Sequence, residues 1–207
     1  MPQYPKIDFS DTKQDRSKKT LEDLLEAAYQ IIETNDPAAF TSRNLAKRAG
    51  YSKGTLNNRL GAVENVFFWA LARGRDFKAN QTVNIIAQFD PQLTIHDFVE
   101  TFVDHCFGGI NSVTAKVIKY HDQKFTKAYG LTPDYFDWIN IFVEPYVELC
   151  QRNQTNTFKV VSNDEARFMF KAIHAVVERP FATDDPIAGT AEHRRIAIEA
   201  LIRLLAK

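Results

Sequence analysis

The sequence predicts an all-α protein, in which an N-terminal three-helix unit precedes a larger C-terminal helical bundle. Apolar residues recur at helical spacing along most of the 207 residues, and the segments they define begin at capping residues and end near Gly, Asn or Pro. No strand-like alternation competes with this pattern in the C-terminal half. With 44% hydrophobic residues and a formal net charge of zero, the chain can bury a sizeable core.

The chain opens with a polar tail followed by an amphipathic segment. Residues 1–19 are polar, contain proline and are predicted to be flexible. They end in a basic run from Arg16 to Lys19, which could lie along a phosphate strand or simply be a soluble tail. From about Ser17 or Thr20 to Thr34 we expect a first helix. Its apolar face comprises Leu21, Leu24, Leu25, Ala28, Ile31 and Ile32.

Two short helices joined by a glycine-bearing turn are predicted between Thr41 and Leu60. Thr41 is placed to cap the first and Ser52 to cap the second, and Gly50 stands where the first must stop. This window carries five basic residues and no acidic residue in a chain of zero net charge. The basic residues are Arg43, Lys47, Arg48, Lys53 and Arg59. Such a charge favours a phosphate backbone, although a solvated basic surface would show the same pattern.

Residues 20–71 resemble the N-terminal domain of the tetracycline-repressor (TetR) family of transcriptional regulators. The resemblance is carried by paired alanines in the first helix, a Thr-capped second helix with Leu45-Ala46 and Ala49-Gly50, and Ser52-Lys53-Gly54-Thr55-Leu56 at the start of the third. It implies a helix-turn-helix DNA-binding domain over residues 20–61 that recognises double-stranded DNA at a palindromic operator. The DNA-contacting residues it implies are Arg43, Ser52, Lys53, Gly54, Thr55, Asn57, Asn58 and Arg59.

The chain departs from the family pattern at Asn57, Leu60 and Val63, where relatives usually carry a tyrosine, a second aromatic residue and a lysine. That tyrosine and lysine typically contact phosphates in the family, while Asn57 can bond a phosphate or an adenine edge. The resemblance implies a repressor released by a small apolar or aromatic effector. The alternative is a TetR-like helical interaction or ligand-binding protein in which DNA binding is weakened or lost.

Beyond the N-terminal unit we expect a linking helix over residues 62–90 and an effector-binding and dimerisation domain over residues 91–207. Within that domain the capping residues and breaks predict further helices near 94–107, 112–128, 133–151, 163–179 and 188–206. Pro145 falls inside the third of these. It is expected to kink or split that helix, either opening a pocket or adjusting ordinary packing.

Fourteen of the sixteen phenylalanines follow Gly61, so the C-terminal bundle is rich in aromatic residues. Most of them must form its core, yet relatives in the family enclose an effector in this domain. An interior with many phenylalanines and few polar groups suits an apolar or aromatic ligand. The predicted effector pocket comprises Phe102, His105, Tyr120, His121, Trp138 and Phe142.

The last two predicted helices carry apolar residues on two sides, which indicates two surfaces to cover. One could face a second copy of the chain, as in the four-helix dimer interface of the family, or both could be buried within one chain. The residues predicted to form a homodimer interface are Phe168, Ala172, Ala175, Val176, Ala191, Ile198, Leu201 and Leu205.

Other classes of function lack support in the sequence. No run of eighteen apolar residues and no signal-peptide core is present, so neither membrane insertion nor export is indicated and a cytoplasmic location is expected. Cys106 and Cys150 fit a reduced compartment and have no metal-ligand spacing. No hydrolase, phosphate-loop or zinc-protease motif occurs. We therefore expect no catalytic residues, no metal and no cofactor.

Overall fold

The computed structural model describes residues 15–34, 39–60, 63–109, 133–183 and 185–207. In these ranges the chain forms nine α-helices and a 3₁₀ helix, with no β-strand, as the sequence predicts. The helices are α1 (Asp15–Glu33), α2 (Ser42–Ala49), α3 (Lys53–Leu60), α4 (Val63–Gln88), α5 (Ile95–Gly109), the 3₁₀ helix (Pro133–Phe142), α6 (Val143–Arg152), α7 (Asn163–Val177), α8 (Arg179–Ala182) and α9 (Ala191–Leu205).

An N-terminal core joins α1, α2 and α3 to the first half of α4. Leu24, Leu45, Leu56 and Val66, one from each helix, are fully buried in it. Helix α1 packs against both α2 and α4, and α3 contacts α2 and α4. The apolar face predicted for the first helix therefore supports the two helices that follow it.

Helix α4 belongs to two cores at once. Val66 and Ala70 lie in the N-terminal core, whereas Ala79 and Ile86 lie in the larger C-terminal core. With 26 residues the helix is about 39 Å long at 1.5 Å per residue. The long linking helix is present as predicted, and the domain boundaries stay a prediction. None of the helices in the described ranges is long and apolar enough to cross a membrane.

The C-terminal core is an aromatic cluster enclosed by α4, α5, α6, α7, α9 and the 3₁₀ helix. Phe98, Tyr146, Phe170 and Leu201 lie at its centre. Helices predicted near 94–107 and 163–179 are confirmed as α5 and α7, each begun by the expected cap. The Ser162 hydroxyl accepts from the Glu165 backbone N–H while the Glu165 carboxylate accepts from the Ser162 N–H. The helix predicted near 112–128 lies outside the described residues.

The single helix predicted over 133–151 is split, and the split precedes the proline. A 3₁₀ helix ends at Phe142 and α6 begins at Val143. Pro145 therefore lies in the first turn of α6, where its missing backbone N–H costs no intrahelical hydrogen bond. The helix is thus split as expected, but at a change of helix type two residues before the proline, and not through a hydrogen bond that Pro145 removes.

The last helix starts at Ala191, three residues later than predicted. Gly189 has a φ of 76°, in the left-handed region, and the Thr190 hydroxyl caps the helix by accepting from the His193 N–H. His193 is buried here. Its Nδ1 accepts from the Gly189 N–H at 3.1 Å and its Nε2–H donates to the Val176 carbonyl at 2.8 Å. The His193 ring thus joins the end of α7 to the start of α9.

Side-chain bonds also join the end of α4 to the segment that follows α6. Arg152 donates from Nη2 to the carbonyls of Ile86 and Ala87 at 3.1 and 2.6 Å, so it bonds acceptors in the last turn of α4. Asn153 donates to the carbonyls of Pro91 and Leu93. The far end of α4 is therefore attached to α6.

Candidate nucleic-acid interface and effector region

Helix α2 begins and ends as its sequence predicts. The Thr41 hydroxyl accepts from the Asn44 N–H at 3.2 Å. Gly50 has a φ of 76°, and its N–H donates to the carbonyls of Ala46 and Lys47. This left-handed conformation, which a residue with a β-carbon rarely adopts, ends α2 and turns the chain toward α3.

Helix α3 is held by a cap at its start and by a buried leucine beneath it. The Ser52 hydroxyl accepts from the Thr55 N–H at 3.0 Å, and the two hydroxyl oxygens lie 2.9 Å apart. Leu56 is fully buried in the N-terminal core. Lys53, Gly54 and Asn57 are exposed on the opposite side. The hydroxyls of Ser52 and Thr55 thus stabilise the helix start, which leaves the exposed face for contacts with another molecule.

The turn between α2 and α3 is also tied to α1 by a bond that the sequence analysis missed. The Tyr51 hydroxyl donates to the Asp23 carboxylate at 2.7 Å, across 28 residues of sequence. Tyr51 further packs against the N-terminal core. Because the two residues are far apart in the chain, no local pattern could pair them. This bond joins the turn of the helix-turn-helix directly to α1.

The outer surface of this unit is basic. Arg43, Lys47, Arg48 and Lys53 are exposed, and neither the first turn of α2 nor that of α3 contains an acidic residue. Asn58 and Arg59 belong to the last turns of α3, and their side chains lie outside the described part of the chain. The exposed residues at which the sequence predicts DNA contacts are thus Arg43, Ser52, Lys53, Gly54 and Asn57, while Thr55 is half-buried.

In the C-terminal bundle, two of the predicted effector-pocket residues, Phe102 and Phe142, contact Phe170, and a third, Trp138, contacts Phe142. The ring centroid of Phe170 lies 6.4 Å from that of Phe102 and 5.4 Å from that of Phe142. Trp138 stands edge-on to Phe142 at 5.9 Å. Tyr120 and His121, also predicted for the pocket, lie outside the described residues. These aromatic residues come from α5, the 3₁₀ helix and α7.

His105 faces α4 and takes part in a separate polar group. The Thr82 hydroxyl donates to the Lys78 carbonyl at 3.0 Å, so the His105 Nε2–H is the donor to Thr82 Oγ1 at 3.1 Å. Burial, and then the charge of Lys78, hold the pKa of His105 below its ordinary value. The charges of Lys78 and Glu178 also act on Cys106, whose pKa is raised mainly by burial. Among the residues that the structure describes, no three metal-ligating side chains come together.

Tyr146 is a buried polar residue at the centre of the aromatic cluster. Its ring lies 5.9 Å from Phe98 and 5.5 Å from Phe170. Its side-chain hydroxyl is buried and, among the described residues, has no hydrogen-bond partner. In the sequence Tyr146 is one aromatic residue among many, because periodicity indicates burial but not whether a hydroxyl has a hydrogen-bond partner.

The residues predicted for the dimer interface divide into three sets: exposed, half-buried and buried. Phe168 is 65% exposed on α7, and Ala172, Ala175 and Ala191 are exposed as well. Val176 and Ile198 are half-buried. The placement of Leu201 and Leu205 in the interface was wrong: each is 1% exposed and belongs to the chain's own C-terminal core. Helix α9 turns these two leucines inward, toward α5 and α7.

No protein-family model and no curated protein matches the sequence. Solved structures do resemble the fold. A TetR-family transcriptional regulator from Mesorhizobium loti superimposes with a TM-score of 0.65 at 9% identity, over 94% of this chain and 100% of that chain. Another, from Pseudomonas syringae pv. tomato, gives a TM-score of 0.50 at 15% identity over 93% and 95% of the two chains. The chain therefore has the fold of the TetR-family transcriptional regulators.

Proposed function

We propose that this protein is a dimeric, DNA-binding transcriptional regulator, and that it is a repressor released from its operator by a small apolar or aromatic effector. The observation that carries the proposal is the exposed basic face of α2 and α3. That face is fixed in position by the caps of both helices, by Leu56 and by the bond from Tyr51 to Asp23. A preorganised basic surface of this kind suits the major groove of duplex DNA.

The exposed side chains of this face have distinct chemistry. Lys53 and Asn57 are four residues apart in α3, so they project from the same side of the helix. Lysine neutralises a phosphate, whereas an asparagine can bond both N6 and N7 of adenine. Arg43, exposed near the start of α2, can bond O6 and N7 of guanine. In this arrangement Lys53 supplies affinity, while Arg43 and Asn57 supply discrimination.

Self-association follows from the size of the recognition helix. Helix α3 has eight residues and a length of about 12 Å, so it spans only a few base pairs. Two copies related by a two-fold axis recognise half-sites roughly 34 Å apart, or a multiple of that distance. The exposed apolar residues Phe168, Ala172 and Ala175 on α7, with Ala191 on α9, are the surface that we propose for the dimer contact.

Helix α4 is the element through which the effector acts. It contributes to the N-terminal core at Val66 and to the C-terminal core at Ile86, and Arg152 attaches its end to α6. An effector that separates α6 from α5 would shift α4 and change the spacing of the two α3 helices. Effector and operator then reduce each other's affinity by the same factor.

The test is to select bound sequences from a random duplex library. The wild type should enrich a palindrome, and Arg43→Ala should lose preference at one base pair per half-site, worth about 1–3 kcal/mol of discrimination. Lys159→Ala is the matched control, because it removes an exposed cation from the C-terminal bundle. Enrichment of no sequence, with Arg43→Ala indistinguishable from Lys159→Ala, would favour the alternative of a helical interaction or ligand-binding protein.

A further inference from the structure

We propose that the Tyr146 hydroxyl binds the effector, and that the effector is an apolar or aromatic compound bearing one neutral hydrogen-bonding oxygen, such as a ketone. This inference rests on the proposed function, since it specifies the ligand that the C-terminal bundle recognises.

The first observation is an unsatisfied polar group in the middle of the bundle. Tyr146 is 0% exposed, and within the described residues its hydroxyl has no hydrogen-bond partner. The Cys150 thiol, one turn later in α6, interacts weakly with this hydroxyl and contributes to the raised pKa of Tyr146, but a thiol does not replace an oxygen or nitrogen partner. Buried polar groups are nearly always paired in proteins, because leaving one unpaired costs free energy. A ligand oxygen would supply the missing partner.

The second observation is the surrounding surface, which is made of aromatic rings. Phe98 and Phe170 flank the Tyr146 ring, and Phe102 lies 5.7 Å from Phe98. Phe142 continues the wall beside Phe170. Rings at such distances offer faces and edges to an apolar skeleton. The hydroxyl is therefore a single polar anchor within an apolar enclosure, an arrangement that fixes the orientation of a small ligand.

The enclosure around Tyr146 suits an uncharged ligand. Burial raises the pKa of both Tyr146 and Cys150, so both groups are neutral at physiological pH. They offer a dipole but no counter-charge, and a carboxylate or ammonium placed between them would lose its hydration without compensation.

Tyr146 also lies where a ligand can influence α4. It belongs to α6, whose Arg152 donates to the last carbonyls of α4, and α6 packs directly against α4. A ligand bonded to Tyr146 therefore contacts the helix that is attached to the linking helix.

The experiment compares three small probes of similar shape: ethylbenzene, acetophenone and benzoate. Binding is measured by calorimetry, and by the fluorescence of Trp138 in a Trp69→Phe background. Acetophenone should bind the wild type about tenfold more tightly than ethylbenzene, which is the magnitude of one good hydrogen bond. In Tyr146→Phe, which keeps the ring contacts, the two should bind alike, with ethylbenzene unchanged. Tyr29→Phe, a half-buried tyrosine in α1, is the matched control.

Three outcomes would overturn the inference. The first is a preference of the wild type for benzoate. The second is equal affinity of the wild type for all three probes, or no binding of any of them. The third is an acetophenone preference that persists in Tyr146→Phe. The wild-type comparison stands even if the variant folds poorly. Duplex binding is measured on the same samples. If the wild type binds duplex DNA but shows no preference for acetophenone, the ligand class alone is refuted. If the wild type does not bind duplex DNA, the proposed regulator is refuted.

Discussion

Replacing Leu201 by alanine separates a core role from an interface role. Leu201 is 1% exposed in the C-terminal core, and truncating a fully buried leucine typically costs about 2–5 kcal/mol. At about 3 kcal/mol, and about 2–4 °C per kcal/mol for a chain of this size, Tm should fall by about 6–12 °C. The loss arises within one chain, because the cavity is left between helices of the same molecule.

The assay is denaturant unfolding at two protein concentrations, combined with sedimentation. The matched control is Phe168→Ala, which removes a side chain that is 65% exposed on α7. Leu201→Ala should lower the unfolding midpoint equally at both concentrations and keep the oligomeric state. Phe168→Ala should instead weaken self-association, so its midpoint should fall toward that of the monomer and depend less on protein concentration. A stable but monomeric Leu201→Ala would contradict the assignment of Leu201 to the core.

Further predictions concern single residues. Gly189→Ala should lower the free energy of unfolding by at least about 1–2 kcal/mol, because φ at this position is positive and the new Cβ would lie 3.0 Å from the Phe181 ring. An unchanged Tm would contradict this. Tyr51→Phe removes the hydrogen bond to Asp23 and should lower the free energy of unfolding by about 1 kcal/mol, measured by urea unfolding. Bonds from the capping threonine lower the pKa of Asp97. Its stabilisation is therefore present above the ordinary aspartate pKa and lost as pH falls through the lowered value, so Asp97→Asn should flatten the acid limb of stability against pH.

Features encoded by a few neighbouring residues could be predicted from the sequence. The caps at Thr41, Ser52, Thr94 and Ser162 are all present where expected. Each depends on a side-chain oxygen and a backbone N–H three residues later, so the chemistry is complete within one turn. The basic character of α2 and α3 follows from composition in the same way.

Features that depend on which surfaces meet could not be predicted. The apolar spacing of α9 is the same whether Leu201 and Leu205 face their own chain or a partner, and only the fold shows that they face inward. The bond from Tyr51 to Asp23 and that from Arg152 to Ile86 join residues distant in sequence. The unpaired hydroxyl of Tyr146 is likewise a property of its three-dimensional surroundings.

The most direct test of the account is the salt dependence of binding to duplex DNA by the wild type and by Lys53→Ala. For the wild type, log affinity should fall linearly with log salt concentration, because the basic face of α2 and α3 displaces counterions from phosphates. Lys53→Ala should reduce the magnitude of that slope by about 1 and weaken binding to all sequences alike. Salt-independent binding, or a slope in Lys53→Ala identical to that of the wild type, would contradict the assignment of this surface to DNA.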